Sequence, residues 1–344
     1  MMNIYWEPLR HIIENHQSFV ISSHVRPDAD AIGSEIGLAR ILESLGKTVS
    51  IVNSSATPAT LYFLDPTRQA QQLGTAAKPE LVTEAEVHII VDTSSWSQLS
   101  EVGKLMRSSA AKRVVIDHHV SSDDLGAIEF KNTSSEATGS LIFQFSEALQ
   151  VSLSPDAATA LFAAIATDTG WFRFPAVSAE TMRIVGRLIE YGASPPAIYR
   201  ELYEQGSLAK MHLVGRALSR MKVDCDGHLA YTFVEWNDFA ELNAIPADTE
   251  DLVNECLKVL GTKAAFIAIE QQNRQVKFSF RSRSENINVA AVAETFTGGG
   301  HRMAAGATLS GPLSTAFASA LEAMRSAVLA ADSMEAASVT APAL

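Results

Sequence analysis

Short aliphatic runs, each handing over to a helical pattern, constrain this chain more than any other feature. Ser18-Phe19-Val20-Ile21-Ser22-Ser23, Lys47 to Val52, Val87-His88-Ile89-Ile90-Val91 and Arg113 to Ile116 are apolar stretches of strand type. Between the first two, Ile32, Ile36, Leu38, Ala39, Ile41 and Leu42 trace an amphipathic helix that Gly46 stops. A strand, a helix and a strand in that order predict a parallel sheet with a right-handed crossover. The same order recurs after Val87, so the first part of the chain is read as α/β.

With 344 residues the chain exceeds the usual size of one core, and two domains are expected. Further helices are read at 4–16, 136–150, 155–167 and 178–191, with a strand at 127–130. Composition shifts near Gly192-Ala193-Ser194-Pro195-Pro196, and helical segments continue over 197–221. A second unit then reads as a strand at 229–235, a helix at 248–260 and strands at 264–271 and 275–283. A helix at 288–296 and a terminal helix at 313–331 follow. The expected organisation is a parallel-sheet domain with flanking helices over 1–192, a helical linker over 193–221, and a smaller mixed-sheet α/β domain over 222–332. Residues 333–344, rich in Ala and Ser, are expected to fray.

Composition narrows the class. A formal net charge of −12 argues against sequence-independent adhesion to long duplex nucleic acid, which needs many Lys and Arg on phosphates. Two cysteines, Cys225 and Cys256, have no metal-site spacing and are too few for a disulfide framework. Neither a signal peptide nor an apolar run long enough for a membrane span is read, so the expected location is cytoplasmic, with no membrane partner.

The chemistry lies where the strands end. Ligands of parallel sheets collect at the carboxyl ends of the strands. His24, Asp92 and the group Asp117-His118-His119 all fall there, Asp28 and Asp30 follow on the loop after His24, and Asp168 comes directly after a helix. Singly, Asp28 and Asp30 read as turn and N-cap residues, and Asp92 and Asp117 as caps of the next helix. Together they are a set of anions that repel one another unless cations sit among them. More acids than imidazoles favours Mn²⁺ or Mg²⁺ over thiolate-bound zinc, the imidazoles leaving zinc, iron or cobalt open, with enough ligands for two ions. Two such metals bridged by one carboxylate suit phosphoester hydrolysis. By contrast His11, His16, His88, His212 and His228 have no acidic loop around them and are assigned to surface or packing.

In the second unit, strand alternation sets Arg281 and Arg283 on one face, a grip for phosphate or carboxylate oxygens. Gly298-Gly299-Gly300-His301 matches no generic phosphate loop and reads as a hinge or as a backbone that a ligand approaches closely, with His301 as a donor.

These segments together resemble the DHH phosphoesterases, and within them the bacterial oligoribonuclease (nanoRNase)/pAp-phosphatase group. The resemblance rests on His24-Val25-Arg26-Pro27-Asp28-Ala29-Asp30-Ala31-Ile32-Gly33-Ser34, Val91-Asp92-Thr93, Asp117-His118-His119 and Thr167-Asp168-Thr169-Gly170. Gly299-Gly300-His301 followed by Ala304-Ala305-Gly306 looks like the signature of the DHH-associated C-terminal domain.

The resemblance implies one metal held by His24, Asp28 and Asp92, and a second by Asp30, Asp92, His118 and Asp168. His119 would face the scissile phosphate, Asp117 would orient an imidazole, and Arg281, Arg283, Gly299, Gly300 and His301 would hold substrate. Two divalent cations are expected, manganese ahead of magnesium. The expected substrates are very short single-stranded oligoribonucleotides and 3′-phosphoadenosine 5′-phosphate (pAp), bound in a cleft between the domains that limits chain length. Alternatives within the superfamily are a linear or cyclic dinucleotide phosphodiesterase, a RecJ-like exonuclease and a family II pyrophosphatase. The last two are disfavoured by the missing extra domain and basic face and by the glycine segment, respectively. Outside catalysis, the same residues would suit a nucleotide sensor. A homodimer is compatible with the sequence without being specified by it.

Overall fold

The computed structural model describes residues 4–340, with side chains described through 335. Contacts divide it into two units, Met1–Gln205 and Gly206–Leu344, a boundary inside the segment expected to link them.

The first unit runs α1 (Glu7–Asn15), β1 (Ser18–Ser22), α2 (Ala29–Ser44), β2 (Thr48–Asn53), β3 (Ala70–Gln72), α3 (Pro79–Thr83), β4 (Val87–Val91), α4 (Trp96–Ser108), β5 (Lys112–Asp117) and β6 (Ile128–Lys131). Four helices complete it: α5 (Thr138–Ala148), α6 (Pro155–Asp168), α7 (Ala179–Glu190) and α8 (Pro195–Tyr203). The six strands form one sheet in the order β3-β2-β1-β4-β5-β6, and every pairing is parallel. Successive side chains of a strand face opposite sides. Phe19, Ile21, Ile89 and Val114 therefore join the core formed with α2, α5 and α6, while Val20, Ile90 and Val115 pack with Val82 of α3 and with Leu99, Val102 and Met106 of α4. That two-sided burial is why these strands read as unbroken apolar runs. The chain winds outward from β1 in one direction and from β4 in the other. The sheet thus has a topological switch point between β1 and β4, where the loops diverge and leave a crevice.

Helices α2 and α6 meet closely. A Cβ built on Gly33 would stand 2.4 Å from the Ala160 carbonyl oxygen, so only glycine allows this approach.

The second unit opens with α9 (Leu208–Ser219), β7 (Lys222–Asp224), β8 (Leu229–Val234), α10 (Trp236–Leu242), α11 (Leu252–Cys256), β9 (Ala264–Glu270) and β10 (Gln275–Ser282). It closes with α12 (Val289–Glu294), β11 (Gly299–His301), β12 (Ala304–Ser310) and α13 (Leu313–Thr340). Its sheet runs β11-β12-β10-β9-β8-β7 and is mixed: β8 and β9 are parallel, the rest antiparallel. One face buries Phe266, Phe278 and Phe280 under α12 and α13. The opposite face is covered by α9, α10 and α11 over β8 and β9, with α11 reaching the near side of β10, while among the described residues β12 and β11 carry no helix on that face.

Four expectations change here. The helix expected at 248–260 is a 3-10 turn at Pro246–Thr249 followed by the short α11, because Asp251 takes a left-handed φ of 60° between them. The hinge reading of the glycine run gives way to a strand, since Gly299–His301 pairs with β12. Arg283 lies one position past the end of β10, where its N–H donates to the Lys263 carbonyl at 2.8 Å, so alternation along the strand does not govern it. Finally, α13 continues to Thr340 instead of fraying from 333. Lys263 Nζ reaches Asp332 Oδ1 and Glu335 Oε2, each at 2.7 Å, and His228 Nδ1 meets Asp332 Oδ2 at 2.8 Å. Residues 341–344 of the expected tail lie outside the described residues.

Candidate metal centre

The switch point gathers the residues singled out in the first unit. His24 follows β1, Asp92 follows β4, and Asp117 ends β5, with His118 and His119 directly after it. Asp28 is the N-cap of α2, where Oδ1 accepts from the N–H groups of Asp30 and Ala31 at 3.0 and 3.1 Å. The cap role and the acidic-cluster role thus fall on one side chain. Asp30 lies in the first turn of α2, and Asp168 closes α6.

Three sets of side chains lie close enough to share a cation, each set's ligand atoms within 4.8 Å of one another: His24 with Asp28 and Asp92, Asp30 with His118 and Asp168, and Asp92 with His118 and His119. Asp92 is central. Its Oδ2 stands 3.3 Å from His24 Nε2, while Oδ1 stands 3.6 Å from His118 Nε2 and 3.6 Å from His119 Nδ1. The two oxygens of one buried carboxylate therefore look toward different imidazoles. The Asp92 backbone is left-handed, φ 60°, an uncommon conformation that short polar side chains tolerate better than most.

Each imidazole is aimed by its other nitrogen. His24 Nδ1 lies 3.0 Å from the Val25 carbonyl and His118 Nδ1 lies 3.2 Å from that of Ser135, leaving both Nε2 atoms toward the carboxylates. Such outer partners fix ring orientation in metal sites. His119 is different, with a side chain 48% exposed. Asp117 Oδ1 accepts from its backbone N–H at 3.0 Å and lies 2.8 Å from its Nδ1.

Several residues that sequence reasoning passed over complete the arrangement. The first two N–H groups of α5, at Thr138 and Gly139, donate to the two oxygens of Asp30 at 2.8 and 2.9 Å. A carboxylate on one helix thereby caps another, satisfying donors that a helix start leaves unpaired. Thr138 Oγ1 donates to Asp92 Oδ1 at 2.9 Å. Ser94 donates to Asp117 Oδ2, and Lys131 Nζ stands 3.3 Å from the same oxygen. Beneath the His24 loop, Asn53 accepts from Ser23 N–H at 3.0 Å and donates to the fully buried Glu35 at 2.9 Å. Burial, opposed by that hydrogen bond, pushes the Glu35 carboxyl up to about 7. Asn53 and Lys131 close strands as several of the others do, but none of these residues belongs to the set of carboxylates and histidines that singled out the others.

The electrostatics reveal what the cluster lacks. Burial and then the charge of Asp30 raise Asp92 well above the usual carboxylate range; burial, with Asp30 and Asp28 adding to it, lifts Asp168 to about 8. Burial also raises Asp30, against the attraction of His118. His24 moves against its own burial, held at about 11 by hydrogen bonds to Asp28 and Asp92. Asp117 likewise overcomes burial, and its bonds from His119 and Ser94 bring it down to about 2. Carboxylates that would rather stay protonated, facing imidazole nitrogens in one crevice, fit hard divalent cations, which remove the mutual repulsion.

The second unit places Arg281 half-buried on β10, with Nη1 donating to the Phe280 carbonyl at 3.1 Å, and Arg283 exposed beyond it. Register sets Arg281 opposite Ala304, which lies opposite His301; Ser279 stands opposite Gly306, and Gly306 opposite Gly299. Gly300 has φ 147°, and a Cβ there would meet the Ala305 Cα at 2.6 Å, so its glycine serves the β11–β12 approach.

A parallel sheet with an acidic and histidine-rich switch point, followed by a mixed-sheet domain carrying a glycine strand, defines a class. The DHH family N-terminal domain matches residues 18–165 and the DHHA1 domain matches residues 226–330; the chain belongs to the DHH family. Among characterised relatives it is similar to the bifunctional oligoribonuclease and PAP phosphatase NrnA of Bacillus subtilis, with 27% identity over 86% of this chain and 91% of that one. The protein of the same name from Thermus thermophilus is 29% identical over 93% of this chain and 94% of that one. A crystal structure of an exopolyphosphatase-related protein from Bacteroides fragilis superposes with a TM-score of 0.87 at 26% identity, covering 95% of this chain and 98% of that one.

Proposed function

We propose that this chain is a metal-dependent phosphoesterase that hydrolyses very short oligoribonucleotides to nucleoside monophosphates and pAp to AMP and phosphate. The observation that carries the reading is Asp92, whose two oxygens face His24 and His118 within a crevice lined by Asp28, Asp30 and Asp168. His24, Asp28 and Asp92 would hold one divalent cation, and Asp30, Asp92, His118 and Asp168 the other, manganese suiting this mixed set best. When bound, such cations lower the pKa of water and neutralise charge developing on phosphoryl oxygens.

The chain's own groups do the rest. His119, exposed and oriented by Asp117, donates to the scissile phosphate, while Lys131 and Ser94 hold Asp117 in place. In the second unit, Arg281, Arg283 and His301 bind the substrate's other phosphate, and Gly299 and Gly300 let it lie against the backbone. Gly299 supports this, because a Cβ built there meets nothing within 4 Å and its own fold does not require glycine. The relatives named oligoribonuclease and PAP phosphatase span nearly the whole chain, which favours the same pair of substrates.

The test is hydrolysis of RNA di- to tetranucleotides and of pAp by manganese-supplemented protein, beside an Asp92→Asn variant checked for unchanged folding by circular dichroism. Both activities should vanish together in the variant. Normal turnover of either substrate by Asp92→Asn protein would refute the mechanism.

A further inference from the structure

The half of the second sheet left uncovered by helices is polar along its length. Residues directly opposite in an antiparallel pair share a face. Arg281 therefore shares this face with Ala304 and His301, Ser279 with Gly306 and Gly299, and Lys277 with Thr308. The first two rows carry the substrate contacts proposed above. Lys277, exposed and one row further on, has no assigned role, and among the described residues its side chain makes no ion pair or hydrogen bond.

Beyond Arg281 the face descends into two adjoining cavities. One, of 350 Å³, lies between Lys277, Ser279 and Arg281 and the segment carrying Thr249, Asp251 and Val253. The other, of 430 Å³, continues from Lys277 to Trp236 and Phe239, with the amides of Gln271, Gln272 and Asn273 along it. Both share walls from Pro246, Thr249, Ile269 and Lys277. Each falls within the range of small-ligand pockets, about 300–1,000 Å³. A cation, an aromatic face and side-chain amides in sequence are what single-stranded nucleic acid requires: phosphate neutralisation, stacking and base-edge hydrogen bonds. Lys277 and Arg281 are rooted four residues apart on one strand, about 13 Å, so they serve separate phosphates. Three carboxylates border the groove. Glu270 accepts from the Trp236 N–H at 3.0 Å and is spoken for, while Glu250 and Asp251 offer acceptors to ribose hydroxyls.

We infer that the groove running from Arg281 past Lys277 to Trp236 is a subsite for a further nucleotide of a short single-stranded RNA, with the backbone phosphate on Lys277 and the base against Trp236. The inference rests on the reading that this chain acts on short oligoribonucleotides. It separates the two proposed substrates, because pAp has no further nucleotide to place there.

The experiment compares the full-length manganese-loaded protein with Lys277→Ala and Lys277→Arg. Steady-state kinetics are measured on an RNA tetranucleotide and on pAp. Binding is measured by fluorescence anisotropy of a dye-labelled, hydrolysis-resistant phosphorothioate tetranucleotide over a range of salt. In Lys277→Ala, binding should weaken roughly threefold to fivefold, the size of one exposed ion pair. The slope of log affinity against log salt should become shallower by about 0.7, one phosphate contact on a single strand. KM for the tetranucleotide should rise in step, kcat and pAp hydrolysis should stay as they were, and Lys277→Arg should restore both binding and slope. An unchanged tetranucleotide affinity and salt slope would overturn the subsite, as would a loss on pAp as large as that on RNA. Should the unaltered protein bind the tetranucleotide yet hydrolyse neither substrate, the proposed activity fails while the Lys277 binding effect still judges the groove.

Discussion

Thr138 illustrates how a residue with no chemistry of its own can set the geometry of those that have it. Its N–H holds Asp30 and its hydroxyl holds Asp92, so two elements of the crevice share one anchor. Thr138→Val keeps the shape and the N–H but removes the hydroxyl. It should cost about 10–100-fold in manganese affinity or activity, the usual penalty for an outer partner of a metal site. Isothermal titration with manganese checks this, and an affinity equal to that of the unaltered protein would dismiss the anchoring role. The first-unit residues named from the sequence were legible because they are carboxylates and imidazoles gathered at strand ends, on the loop after His24 and at the end of a helical pattern. Thr138, Ser94, Lys131 and Asn53 were not, since their roles arise from which elements become neighbours in space. The second-unit arginines were found by alternation along an expected strand, but only the observed end of β10 separates Arg281 on the strand from Arg283 beyond it.

Among elements, the pair α2 and α6 matters most, since α2 starts at Asp28 and carries Asp30 while α6 ends at Asp168. Gly33→Ala drives a methyl into the Ala160 carbonyl, so the helices must separate. Overpacking of this kind costs about 1–3 kcal/mol, and in a unit of this size each kcal/mol lowers Tm by about 2–4 °C. Manganese affinity should fall with it, because the carboxylates move apart. Calorimetry and metal titration on one preparation provide the check, and an unchanged Tm would mean the helices are free to adjust. The doubly buried strands of the first sheet were readable because burial on both faces leaves few polar positions, His88 in β4 being one. β3, with the sequence Ala70-Gln71-Gln72, was not, being an edge strand of half-buried residues. In the second unit, α10 and α11 are too short to show a helical period, and the left-handed Asp251 between them reflects a local turn that a run of mixed residues does not announce.

For the molecule as a whole, the crevice links stability to pH. Asp168 rests at about 8 in the folded chain, against an unfolded value of about 3.9. A group raised in this way favours the fold fully below the unfolded value, and that support is lost as pH rises through about 8. His24, raised to about 11, pulls in the same direction at higher pH. Chelator-treated protein should therefore lose Tm between about pH 6 and about pH 9, and added manganese should restore more at the alkaline end, where it competes with fewer protons. Differential scanning fluorimetry with and without EDTA makes the comparison, and a flat Tm for the chelated protein across that range would contradict the account. Cations held in the crevice would also offset part of the net charge of −12, which otherwise repels polyanions. The long α13 bears on how the chain is handled. The DHHA1 match stops at residue 330, whereas Lys263 and His228 are tethered by Asp332 and Glu335 beyond it. Trimming the chain to the limits of family similarity would cut the tether and remove the buried Ala331 from the core. The mechanical edge of this unit lies further along than its ancestral one, and an affinity tag belongs past Thr340.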